Sequence, residues 1–344
     1  MASPRESPKT SELSDLTISD FDDEVDINNL ELTECDLVER KYRFERAVDA
    51  YLQYHTDDNE TRVVLTAFKD FLPNRGKVVL FKEVEDYAEH SGKIEQLSRC
   101  LVKGICTPLK SSLNPTYEIP RPTFQGADIE IEIMQGEIRS SKRPNGLREK
   151  VLARDGFRCA VTDRFKRARV TTLVLPKILL GSLHVCHIIP HRLGEFDDDA
   201  ASTKRYATIW VLLHRFFPKI AKVLGPEQLG NAENAFAMWS GLHKEFDDFR
   251  ISFEPRTRKS EANTYNLRVF GGYAVENIGI GLSRVIRFKP ATGDPPPNAI
   301  CFDVHHRVAR ILDRFKREGL PLKFMGRVPS QTDDNDTQDE MDID

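Results

Sequence analysis

Apolar residues change their spacing several times along this chain, and each change marks an element. From Leu37 to about Pro108 the period is helical. Val38, Tyr42, Phe44, Ala47, Val48, Tyr51 and Leu52 recur mostly at steps of three and four, which lines one helix face. A second segment starts near Asn59 with Val63, Val64, Ala67, Phe68 and Phe71. Pro73 ends it, because its ring cannot continue a helix. A third runs from Val78 to Ile105 through Leu80, Phe81, Val84, Ile94, Leu97 and Leu101, interrupted at Ser91-Gly92. Residues 37–113 are therefore expected to form a small helical bundle or hairpin without visible chemistry. His55 and His90 read as exposed helix ends. Three prolines between Asn114 and Gln125 predict an extended connection, and 114–146 is read as a linker. Within it, Ile129–Met134 fits either a short edge strand or a helix turn.

The second half mixes periods. A helix is expected after Pro144, with Gly156 as its stop. Cys159–Thr162 reads as a short strand, Val170–Leu183 as strand or buried loop, and His184–Ile189 as a strand ended by Pro190. Thr203–Leu224 is amphipathic, with Tyr206, Ile209, Trp210, Leu213, Phe216 and Phe217 on one wide face and Pro218 kinking or splitting it. Asn234–Ser240 is a short apolar run, and Gly241–Asp248 is a helix or helical turn. Ile251–Glu254 and Tyr265–Phe270 alternate as a hairpin would, and Val285–Phe288 fits another strand. Phe302–Arg317 reads as a closing helix, within a 298–328 segment that packs on the core.

Composition sharpens this picture at the ends. The 344 residues are 40% apolar and 30% charged, which suits a folded centre with polar extremities. Residues 1–36 and 329–344 are acidic, poor in apolar groups, and expected to be disordered. The net charge of -4 names no partner. Base concentrates between Arg139 and Arg169. Two readings of it stand, neutralisation of phosphates or a solvated surface. The six cysteines include no Cys-x-x-Cys pair, which argues against a four-cysteine zinc site. The N-terminus lacks the pattern of a signal peptide, and no run of ~18 apolar residues suggests a membrane span. An intracellular protein with reduced thiols is expected. Ser141-Lys142-Arg143-Pro144 is too short to serve as a nuclear import signal.

The chemistry gathers in one block. It opens with Arg154-Asp155-Gly156-Phe157-Arg158-Cys159 and continues with Cys186-His187-Ile188-Ile189-Pro190. It closes with Asn234 nine residues before the His of Leu242-His243-Lys244-Glu245-Phe246-Asp247. This order and spacing resemble the HNH endonuclease family, over roughly Glu149 to Phe270. The long helix after Pro190, and Asp303–Ala309 in the closing helix, look like the fungal versions of that family. The resemblance implies an α+β fold: a ββα-metal core, here with inserted and flanking helices and a helical N-terminal region, the nuclease-like domain spanning 147–290. It also implies hydrolysis of nucleic-acid phosphodiesters, DNA being the expected partner.

Such hydrolysis needs an activated water and something to hold charge on the phosphoryl and leaving oxygens. A neutral imidazole, with pKa near ~6.5, is a suitable base, and His187 at a strand end is the candidate. A divalent cation supplies the charge stabilisation, with Mg²⁺ or Mn²⁺ expected and Zn²⁺ an alternative. Residues four apart share a helix face, so His243 and Asp247 can grip one ion. The family's pattern implies that Asn234 ties the connecting loop and orients the base. Many nucleases of this fold carry a metal-binding Asp or His just before the base, where this chain has Cys186. A thiol is a poor ligand for Mg²⁺. The site would then rest on two protein ligands plus water and phosphate, or be impaired. A second function class follows: a nucleic-acid or protein interaction module on the same scaffold. His184 and His191 flank the base and read as incidental or assisting. His305 and His306 read as residues that cap or pack the last helix. Cys159 stands where some relatives begin a structural zinc site, but its partners are absent.

Overall fold

The computed structural model describes residues 34–54, 58–88, 90–110, 117–142, 144–166, 180–256, 261–271 and 285–320. The tails expected to be disordered (apart from 34–36), His55, and most of the Val170–Leu183 stretch lie outside the described residues. Four helices open the structure: α1 (Glu34–Tyr54), α2 (Asn59–Phe71), α3 (Asn74–Asp86) and α4 (Ser91–Leu101). Asp58 caps α2 by accepting from Thr61 N at 2.9 Å. The break in the third apolar segment falls at 87–90, slightly before Ser91. α4 passes through one π-helical turn, Val102–Cys106, into α5 (Thr107–Lys110). Gly104 in that turn lets Leu212 approach closely, since a Cβ there would lie 2.2 Å from Leu212 Cδ1 and the leucine would have to move.

Residues 114–146, read as a linker, contain α6 (Ala127–Glu137). The alternating acids and isoleucines form neither an edge strand nor a lone turn. Helical geometry turns Ile131 inward and leaves Ile129 and Ile133 exposed. α7 (Leu147–Arg154) ends as expected, with Gly156 at φ +64°. Cys159–Thr162 is a turn rather than a strand: Asp163 N bonds back to Cys159 O at 3.1 Å, and Asp163 sits at φ +54°. β1 (Phe165–Lys166) and β2 (Leu180–Gly181) pair in parallel.

β3 (Leu183–His187) pairs antiparallel with β4 (Ala235–Trp239), placing His187 opposite Ala235 and Cys186 opposite Phe236. Between the two strands lies a long insertion that carries α8 (Ala200–Phe216). Asp199 caps α8 with bonds from Ala201 N and Ser202 N, each 2.9 Å. Pro218 does split the amphipathic stretch, starting a 3-10 turn, Pro218–Lys222. α9 (Ser240–Asp247) follows β4 directly and packs against both strands. β5 (Ile251–Pro255), β6 (Thr264–Val269) and β7 (Val285–Arg287) form an antiparallel sheet, and α10 (Ala299–Arg317) closes the fold.

One continuous cluster of buried apolar side chains extends from Leu37 to Leu320. Two helices stitch it together. α8 packs against α3 and α6, and α10 packs against α2 and β5. Around α9 the cluster is aromatic. Phe236, Phe246, Phe253 and Phe302 meet at centroid distances of 5.2 to 5.6 Å. Pairs of this geometry add about 0.5–1.5 kcal/mol each beyond area burial. They fix the helix that carries His243 and Asp247 onto the strand pair that carries His187.

Candidate metal-assisted hydrolytic site

Strand alternation sorts the residues of β3. His184 and Cys186 share the face toward α9, while His187, at the strand's end, has the opposite parity. Ala235, across from His187, offers only a methyl group and leaves room for an imidazole. Past His187 the chain is pinned by Asn234, which is 1% exposed. Its Oδ1 accepts from Ile189 N at 2.9 Å, and its Nδ2 donates to Ile189 O at 2.8 Å and Leu229 O at 3.0 Å. Its own carbonyl accepts from Ile188 N at 2.7 Å. The amide thus ties both peptide groups of Ile189, two residues beyond His187, to the start of β4.

His243 stands on α9 with its two ring nitrogens facing different partners. Nε2 lies 3.3 Å from Asp247 Oδ2, one helical turn on. Nδ1 lies 3.1 Å from Nδ1 of His184, with the rings edge to face at 5.3 Å. Asp247 keeps 56% of its side-chain surface exposed. Protein packed on its other sides still strips hydration and pushes its carboxyl above the usual range, with His243 and Arg192 opposing the rise. The ring beside His187 is that of His191, 5.2 Å away between centroids, and His191 Nδ1 meets Glu195 Oε1 at 2.8 Å. The structure therefore joins His184 to His243, His243 to Asp247, and His187 to His191.

Cys186 is fully buried, and that burial holds its thiol well above its ordinary pKa, helped by Asp247 and Cys159. It is a protonated packing residue. Cys159 is also buried, and its Sγ accepts from Val161 N and Thr162 N at 3.4 Å each. Among the described residues no group of three His, Cys, Asp or Glu side chains gathers to hold a metal ion. The His243–Asp247 pair nevertheless suits one. An imidazole nitrogen and a carboxylate oxygen 3.3 Å apart are donors of the kind that would share one divalent ion.

Within the basic stretch, Arg139, Lys142, Arg148, Lys150 and Arg158 are exposed, and Arg154 departs from both readings. Arg154 is neither a phosphate ligand nor a solvated surface residue, because it is fully buried. It pairs with Asp155 at 2.7 Å and donates to Ala232 O at 2.6 Å and Ala235 O at 2.7 Å. Asp155 Oδ2 accepts from Ala237 N at 2.7 Å. The dipeptide thereby satisfies the outer edge of β4, which a two-stranded sheet would leave open. Sequence reasoning missed this role, and it read His184 as incidental or assisting without placing it beside His243. The signal for His184 was its position two residues before Cys186, on the strand face that meets α9.

A helical protein with mixed small sheets thus presents a strand pair and a following helix that display His, Asn and a His/Asp pair. This arrangement of helices and small sheets is an α+β fold. Residues 159–254 match the family model for HNH endonucleases. No curated protein and no solved structure matches the chain. The family match supports nuclease-type activity on a nucleic-acid substrate. No described helix is long and apolar enough to cross a membrane.

Proposed function

We propose that the block around β3, β4 and α9 is a ββα-metal endonuclease site of the HNH type, in a branch like the fungal versions, acting on DNA phosphodiesters. The observation that carries this reading is the 3.3 Å approach of His243 Nε2 and Asp247 Oδ2 on one turn of α9. His243 and Asp247 would hold one divalent ion. When bound, the ion supplies Lewis acidity to the phosphoryl and leaving oxygens. A nitrogen plus a carboxylate oxygen accommodates Mn²⁺ and Zn²⁺ as readily as Mg²⁺.

His187 takes a proton from the attacking water as the water oxygen bonds to phosphorus. The opposite P–O bond breaks, and the leaving oxygen is protonated from solvent. Asn234 does not react. Its three side-chain hydrogen bonds fix the peptide after the base and so the direction of the imidazole. With His243 Nε2 kept as a lone pair toward the ion, its Nδ1–H donates to His184 Nδ1, so His184 sets the tautomer of His243.

Cleavage of supercoiled plasmid with Mg²⁺, Mn²⁺, Zn²⁺ or EDTA tests the reading. Metal-dependent nicking is expected, and His187→Ala is expected to lose it by roughly 10²-fold or more. Undiminished cleavage by a His187→Ala, His243→Ala double variant would sink it. A second reading, a binding module on the same scaffold, is favoured by one observation: the buried Cys186 thiol occupies the position that many HNH nucleases give to a further metal ligand. Intact DNA binding with no metal response in a folded sample would select that reading.

A further inference from the structure

Trp239 ends β4 and leads straight into α9. Its indole fits there because two glycines lie against it. A Cβ on Gly181 of β2 would come 2.9 Å from Trp239 Cδ1, and one on Gly241 of α9 would come 2.6 Å from Trp239 Cη2. Neither gap admits a methyl group, so the ring is held at the junction of β2, β4 and α9. The guanidinium of Arg164 lies over that ring, with Cζ 4.1 Å from the centroid. The same Cβ on Gly181 would lie 3.3 Å from Arg164 Cδ, so glycine, indole and arginine are packed as one unit. Arg164 and Trp239 are each half-buried and keep a side toward solvent.

A guanidinium keeps its charge in any protein environment. Here only Nε is enclosed. The terminal nitrogens stay open to solvent, and among the described residues they meet neither a carboxylate nor a carbonyl. Residues 167–179, which join β1 to β2, hold Arg167, Arg169 and Lys177 and no Asp or Glu, so that stretch offers Arg164 no counter-ion. The indole N–H of Trp239 is likewise open to solvent and has no acceptor among the described residues. Stacking on the indole orients the planar fork in advance, so little freedom is lost when its N–H groups find an acceptor. Oriented cationic donors without an acceptor suit a phosphate oxygen. The unit also borders the candidate site. Residues paired across strands share a sheet face, so Trp239, opposite Leu183, lies on the face of His187, opposite Ala235. Four residues of β4 separate the two positions, about 13 Å at ~3.3 Å per residue.

We propose that Arg164, clamped on Trp239, takes one phosphate of a DNA backbone at the end of the strand pair away from His187. That the phosphate belongs to DNA rests on the nuclease reading. The unpaired, stacked cation does not. The contrasting role is packing alone, with Arg164 as a lid on the indole, and it predicts a loss of stability with DNA affinity unchanged.

The test uses the full chain in EDTA, so that cleavage plays no part. A short mixed-sequence DNA duplex is titrated at several salt concentrations, followed by anisotropy of the labelled duplex and by the protein's tryptophan emission. The chain has two tryptophans, and Trp210 is fully buried, so a change on binding reports on Trp239. Wild type, Arg164→Gln, Arg164→Lys and Trp239→Phe are compared. Arg164→Gln should lose roughly tenfold in duplex affinity, and its slope of log affinity against log salt should shrink by about 1. Arg164→Lys keeps the charge without the planar fork, so it should keep the slope and regain only part of the affinity. DNA should quench the emission of wild type and not that of Trp239→Phe. If Arg164→Gln does not fold, the quench and the Arg164→Lys comparison decide. Wild-type affinity and slope in Arg164→Gln, emission unmoved by duplex, or no duplex binding by wild type at low salt would each overturn the contact. Binding that depends on Arg164 in a protein that never cleaves DNA with metal would refute the nuclease reading and leave the contact standing. Metal-dependent cleavage with binding indifferent to Arg164 would do the opposite.

Discussion

Arg154 and Asp155 carry an argument about burial that their charges alone would have pointed the wrong way. A guanidinium with no solvent exposure survives because every direction it faces is answered, by Asp155, Ala232 O and Ala235 O. Removing it leaves a buried carboxylate and two orphaned carbonyls on the edge of β4. Arg154→Ala is therefore expected to cost about 3–5 kcal/mol in denaturant unfolding, far more than loss of a surface base. His184 acts more quietly. If it fixes the tautomer of His243, His184→Phe should weaken Mn²⁺ affinity by about 10–100-fold in calorimetry, while His187→Ala leaves that affinity unchanged. Equal losses in both variants would contradict the division of roles. Cys186, protonated and enclosed, should resist a disulfide reagent in the native protein and react only on unfolding.

At the scale of elements, α10 meets α9 through His305 and β5 through His306. His305 is sandwiched between Phe246 at 3.9 Å and Phe249 at 4.4 Å, and its Nε2–H donates to Phe246 O at 3.2 Å. His306 bonds Ser252 Oγ at 2.8 Å and faces Glu254 at 3.7 Å. Burial depresses both imidazoles, His305 to about 3 and His306 to about 4, Glu254 opposing the fall at His306. In the unfolded chain the same groups take up protons near pH ~6.5. The unfolded state thus binds more protons below that pH. Stability is full above pH ~6.5 and falls as pH drops toward 4, by about 1.4 kcal/mol per histidine per pH unit. His305→Phe should be about 1 kcal/mol less stable at pH 7, for its orphaned carbonyl. It should lose less than wild type between pH 7 and pH 5, as thermal melts at both values would report. The α3–α8 contact is equally specific. A Cβ on Gly76 would lie 2.1 Å from Phe216 O, so Gly76→Ala must push two helices apart. A loss of about 1–3 kcal/mol is expected, measured by chemical denaturation.

At the scale of the whole molecule, stability rests on apolar packing. The apolar cluster runs through the helical region, the strand pairs and the closing helix without a break. The His243–Asp247 pair sits at its margin, with Asp247 exposed. Chelation should therefore lower the melting temperature by only a few degrees, in proportion to ligand binding, and leave the protein folded. Loss of cooperative melting in EDTA would mean that the ion is structural.

Much of this was legible in the chain because it depends on local rules. Helical periodicity located α1 to α4, α8 and α10, Pro73 and Pro218 fell at real boundaries, and Gly156 stopped α7. The order of His187, Asn234, His243 and Asp247 is visible along the chain, and a step of four puts the last two on one helix face without tertiary knowledge. The sequence determined, then, which side chains could do chemistry and on which elements they ride. Only the tertiary structure decided that residues 127–137 coil as α6, because packing on α8 overrode a pattern that fits strand and helix alike. It turned Arg154 from a surface base into the clasp of β4, because burial depends on contacts with Ala232 and Ala235 some eighty residues away. It likewise brought His184 to His243 and Arg192 to the carbonyls of α5. Sidedness and long-range approach are properties of the packed chain, and no local pattern of hydrophobic and polar residues encodes them.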